Sequence, residues 1–116
     1  MLPVLTVPLR QKAFASISRA LWGEVFPEIR SVEFALSPDE RTLAIWVVYD
    51  GPVPQCDLDD LSAAFTEVYA DFSWPDHGDP TVVEHYLRVD APAPVERRGS
   101  LVYQRREPKA PHRPGG

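Results

Sequence analysis

The chain has 116 residues, long enough for one domain with a single core and too short for two. Hydrophobic residues make up 44% and charged residues 25%, the proportions of an ordinary globular protein, and no apolar run approaches the ~20 residues of a membrane-spanning helix. The net charge of −5 argues against a general nucleic-acid binder, which presents a basic face.

The first residues, MLPVLTVPLRQK, lack the basic start and continuous apolar stretch of a secretory signal. Cys56 is the only cysteine, which excludes an internal disulfide scaffold, so a reducing, cytoplasmic location is expected. Residues 10–25 space Phe14, Ile17 and Leu21 by three and four, predicting a first helix that Gly23 ends. IRSVEFALS alternates and predicts a half-buried strand, with Val32, Phe34 and Leu36 inward and Ser31, Glu33 and Ala35 outward. After the turn SPDE, RTLAIWVVYD is apolar on both faces, as a central strand is.

Leu58, Leu61, Phe65, Val68 and Phe72 then form an unbroken stripe, predicting a second helix over 57–72. Asp57 stands where an N-cap is expected, and Asp60 where a capping box places its acidic partner. SWPDHGDP reads as a loop. TVVEHYLRVD predicts a third strand with Val83, His85, Leu87 and Val89 on its apolar side. A proline-rich connection over 91–99 leads to a fourth, edge-like strand, GSLVYQRRE. The fold class is therefore α+β, in the order α-β-β-α-β-β, with two helices on one face of a four-stranded, mainly antiparallel sheet. Residues 1–107 make the domain, and the basic tail 108–116 is expected to be disordered.

Charge is segregated along the chain. Residues 1–49 carry five basic and five acidic side chains, whereas residues 50–90 carry ten acidic side chains against Arg88 alone, a local balance of −9. Arg97, Arg98, Arg105, Arg106, Lys109 and Arg113 then face only Glu96 and Glu107. Those basic residues read as the charged blunting of an edge strand, in preference to a nucleic-acid site.

No phosphate loop, nucleophile elbow or pair of metal ligands at helical spacing is present. Asp76, His77 and Asp79 in PDHGD are the densest group of possible ligands, but a polar loop uses Asp and Gly to turn, and a fourth ligand is missing. His85 reads as a structural histidine and Cys56, beside acidic residues, as a poor nucleophile. No cofactor, metal or catalytic residue is expected.

Within the acidic segment, Asp57, Asp59 and Asp60 begin a helix, where its dipole favours them by roughly 0.3–1 kcal/mol each. Glu67 and Asp71 are a like-charged pair four residues apart near the other end, where dipole and repulsion both oppose them. Asp76 and Asp79 add charge around Trp74. Asp60, Glu67, Asp71, Trp74, Asp76 and Asp79 are thus the expected partner-binding residues, for a partner that is basic.

LWGEVFPEIRSVEF, VVYDG followed by an acidic helix ending in ADF, and LVYQRRE resemble small bacterial immunity proteins of polymorphic-toxin loci, including contact-dependent inhibition systems. The resemblance spans residues 10–107. It implies a cytoplasmic, non-enzymatic inhibitor of a cognate toxin domain, often a nuclease, whose basic active site an acidic surface can occupy. The proline-rich loop around Trp74 and the basic tail depart from the pattern. Two other readings are a metal-dependent or hydrolytic accessory enzyme using Asp76, His77, Asp79 and His85, and a structural module that oligomerises through the edge strand at 99–106.

Overall fold

The computed structural model describes residues 7–107; the tail 108–116 lies outside them. Its elements are α1 (Leu9–Ala20), β1 (Ile29–Leu36), β2 (Thr42–Tyr49), α2 (Gln55–Ala64), α3 (Thr66–Asp71), β3 (Thr81–Arg88) and β4 (Ser100–Gln104), with a short 3-10 turn at Pro75–His77. The fold is α+β, with the helices packed on one face of a four-stranded mixed sheet in the order β3-β2-β1-β4. β1 is antiparallel to β2 and to β4, while β2 and β3 run parallel. Parallel neighbours cannot be joined by a tight turn, so the α2–α3 segment is the crossover that carries the chain back along the sheet.

Register explains the core. Val32 opposite Val47, Phe34 opposite Ile45 and Leu43 opposite Val82 share one face. That face meets Ala13 and Ile17 of α1 and the stripe Leu61, Phe65, Val68 and Phe72. Each fully buried large side chain contributes about 1.5–3 kcal/mol relative to exposure.

The first helix turns further than its predicted stripe. Ala13, Ser16, Ile17 and Ala20 face inward, and Phe14 remains 46% exposed. Small residues let α1 lie close to α3, so Ser16 and not an apolar side chain meets Asp71. The helix stops at Ala20, short of residue 25, in a turn where Gly23 takes φ 76°.

The second helix begins at Gln55, two residues before the expected start. Pro54 (φ −56°, ψ 138°) holds the chain extended up to that point. Asp57 is therefore inside the first turn and caps nothing; no side chain caps this helix, and Asp60 completes no capping box. The helix also breaks at Phe65, dividing the predicted 57–72 into α2 and α3. The Thr66 hydroxyl donates to the Ala63 carbonyl at the break, taking an acceptor that the helix ladder would use. The apolar stripe passes through the break, with Leu61, Phe65, Val68 and Phe72 buried and Leu58 half-buried.

The outward face of β1 is not solvated as its alternation suggests. Ser31 and Glu33 are 4% and 0% exposed. The cause is topological: β3 and β4 lie at opposite edges, so residues 89–99 must cross the second face of the sheet. Pro92, Pro94, Val95 and Arg97 close over Arg30, Ser31 and Glu33, enclosing a cavity of about 200 Å³. The Arg98 N–H donates to Glu33 Oε2 at 3.2 Å. Arg97 Nε lies 2.9 Å from Glu33 Oε1 as a charge contact, without the alignment of a hydrogen bond.

The third strand faces opposite to the expected sense. Val82 and Tyr86 share the helix-covered side with Glu84, whereas Val83 and His85 lie on the open face, where His85 is exposed and stacks on Trp46 at 5.6 Å. His85 is thus not a buried structural histidine. Both faces of this strand carry apolar residues, and only its parallel register with β2 decides which is covered.

Candidate partner-binding surface

The six residues singled out by charge all lie on α2, α3 and the loop 73–80, but they fall into two groups. Asp60, Glu67 and Asp76 are exposed, and among the described residues none of their carboxylates takes part in a hydrogen bond or ion pair. Trp74 is 63% exposed, its ring tilted against His77 at 5.1 Å.

Asp71 and Asp79 are half-buried and used internally. Asp71 Oδ2 accepts from the Ser16 hydroxyl at 2.6 Å and from Arg19 at 2.8 Å, tying α3 to α1. This basic partner from another element offsets the repulsion between Glu67 and Asp71 that the helix alone leaves unbalanced. Asp79 Oδ2 accepts from the Trp74 N–H at 3.0 Å. Its Oδ1 lies 4.0 Å from Lys12, whose ammonium sits 4.9 Å over the Phe72 ring. The His77 and Asp79 N–H groups both donate to the Trp74 carbonyl, and Gly78 supplies the left-handed turn at φ 92°. Asp79 thereby fixes the backbone that presents the Trp74 indole.

A second polar group, not apparent from charge runs, anchors this surface to the sheet. Glu84 of β3 accepts from the Tyr69 hydroxyl of α3 at 2.8 Å and from the Tyr86 hydroxyl. Burial first, and Glu84 second, push the Tyr69 phenol up to about 12 and Tyr86 higher still. The signal is the i, i+2 pairing of Glu84 and Tyr86 on one strand face, hidden because the alternation of this strand points to its other face as the covered one.

At the opposite end of the sheet, Arg30 is buried and bidentate to Glu107 at 2.7 and 2.8 Å, and donates to the Val89 and Ala93 carbonyls. Arg105 bridges Glu107 at 2.7 Å and Asp50 at 3.0 Å. The carboxyl of Glu107 is held at about 2, first by its hydrogen bonds from Arg30. Part of the basic run at 97–106 is therefore internal, joining β4 to β1.

Among the described residues, no three His, Cys, Asp or Glu side chains converge as a metal site. His77 packs on Trp74 and His85 on Trp46. No described helix is long and apolar enough to cross a membrane.

The fold is thus an α+β domain that carries exposed carboxylates on α2, α3 and the following loop, together with an exposed tryptophan. Residues 10–107 match the family model described as the MafI2 immunity protein, and the chain belongs to that family. It is an immunity protein of a toxin–immunity locus. A search of curated proteins found no match.

Proposed function

We propose that this protein neutralises its cognate toxin without catalysis, by binding a basic surface of the toxin through Asp60, Glu67, Trp74 and Asp76. Asp71 and Asp79 hold that surface in shape while adding to its field. The observation that carries the reading is the contrast within the six residues. Two carboxylates are satisfied by Arg19, Ser16, Lys12 and the Trp74 backbone, and three are left exposed on the helices and loop that lead to an exposed indole. Exposed charge around an aromatic anchor speeds encounter with an oppositely charged partner and supplies a central contact. A nuclease domain fits the role, because a site that binds phosphates is basic. Action in the cytoplasm accords with an exposed, free Cys56.

The test is calorimetry with the toxin domain encoded beside this gene. The triple variant Asp60→Asn, Glu67→Gln, Asp76→Asn should weaken binding by about 2 kcal/mol or more, and Trp74→Ala by a similar amount. Unchanged affinity in both variants would exclude this surface.

A further inference from the structure

β3 is the edge of the sheet beside the acidic surface; its inward charge, Glu84, is taken up by Tyr69 and Tyr86, and it lacks three common devices against strand pairing. Long exposed edges are normally broken by proline, by a bulge or by lysine. Residues 81–87 contain none of these, and the eight-residue register with β2 runs from Thr42–Thr81 to Tyr49–Arg88 without a shift. The other edge differs: β4 has five residues, its register with β1 shifts, and arginines flank it.

The direction of the free groups follows from the ladder. The Thr81 N–H donates to Arg41 and the Val89 N–H to Tyr49, both toward β2. In a parallel pair alternate residues point the same way, so the N–H groups of Val83, His85 and Leu87 also face β2. Those of Val82, Glu84, Tyr86 and Arg88 point to the open edge, and among the described residues no other strand pairs with them.

We propose that β3 is a strand-addition site, on which an extended, basic segment of the cognate toxin pairs as a fifth strand. This rests on the reading of the chain as a toxin-binding protein. Charge selects the occupant. Tyr69 of α3 reaches Glu84, and Tyr86 lies against Ser62 of α2, so the acidic helices flank the edge. Asp76 and Asp79 stand before the strand and Asp90 after it; Lys12 reaches Asp79 and Arg88 pairs with Asp90, which leaves Asp76 unpaired among the described residues. A second copy would bring the same −9 segment to the edge and be repelled, whereas a strand bearing Lys or Arg is attracted. Main-chain pairing gives the affinity, and flanking charge gives the choice of partner.

Amide hydrogen exchange by NMR on the full chain, free and bound to the adjacent toxin domain, tests this. On binding, the amides of Val82, Glu84, Tyr86 and Arg88 should slow by about a hundredfold or more, while those of Val83, His85 and Leu87 change little. The variant Val83→Lys, at an exposed position, should stay folded with a cooperative melt and lose about tenfold in toxin affinity through repulsion. A complex in which the four edge amides exchange as in the free protein would overturn strand addition and leave the acidic-surface reading standing. Protection already present in the free protein at high concentration would assign the edge to a second copy, against the proposal. No complex at all would defeat both readings.

Discussion

Asp71 shows how the role of a single side chain depends on a distant one. On its helix it is an unfavourable charge; in the fold it is the acceptor for Ser16 and Arg19, 55 and 52 residues away. Asp71→Ala should therefore cost stability, about 1–3 kcal/mol, by leaving the buried Ser16 hydroxyl unpaired. Asp60→Ala, Glu67→Ala and Asp76→Ala should each stay within about 0.5 kcal/mol of the parent in denaturant unfolding. Glu107 adds a pH dependence. Its folded pKa of about 2 is below the ordinary value of 4.5, so its stabilisation is full above about 4.5 and is lost as pH falls toward about 2. Thermal melts from neutral to acid should show this decline, and Glu107→Gln should be less stable at neutral pH with a flatter acid limb. The tyrosines act in the reverse sense. Tyr69 ionises near 12, not 10, so its contribution is present below pH 10 and lost as pH rises through 12. Phenolate absorbance should show Tyr69 and Tyr86 titrating late, and Glu84→Gln should remove part of the Tyr69 shift while the part due to burial stays.

Elements place these side chains through close packing. Gly99 lies where the crossing segment 89–99, the strap over the second face, enters β4, and a Cβ there would stand 2.2 Å from the Phe34 carbonyl oxygen. Backbone cannot yield as a side-chain tip does, so Gly99→Ala should destabilise by about 1–3 kcal/mol, read by chemical denaturation. Phe65, fully buried at the junction of α2 and α3, keeps the two segments on one stripe. Phe65→Ala should cost about 3–5 kcal/mol and loosen the Trp74 loop with it. The stripe itself was legible, because five apolar residues at helical spacing admit one face. The break was not, since Thr66 competes for a carbonyl through a hydrogen bond that periodicity does not record. The sense of β3 was hidden for a related reason: a strand with apolar residues on both sides has no preferred face until a neighbour fixes one.

At the scale of the molecule, the segregated charge makes toxin association a salt-dependent rate. Stopped-flow association with the toxin domain should slow on the order of tenfold from low to high salt, with a smaller change in dissociation. The order of elements, the α+β class, the helical stripe and the acidic segment were determined by the sequence alone, because each depends on residues near one another in the chain. The tertiary structure decided which carboxylates are left for a partner. It did so because Ser16, Arg19 and Lys12 meet Asp71 and Asp79 only when α1 packs on α3 and the following loop. It also decided that β1 is buried on both faces, since the strap has to cross the sheet to join edges that the chain order does not reveal.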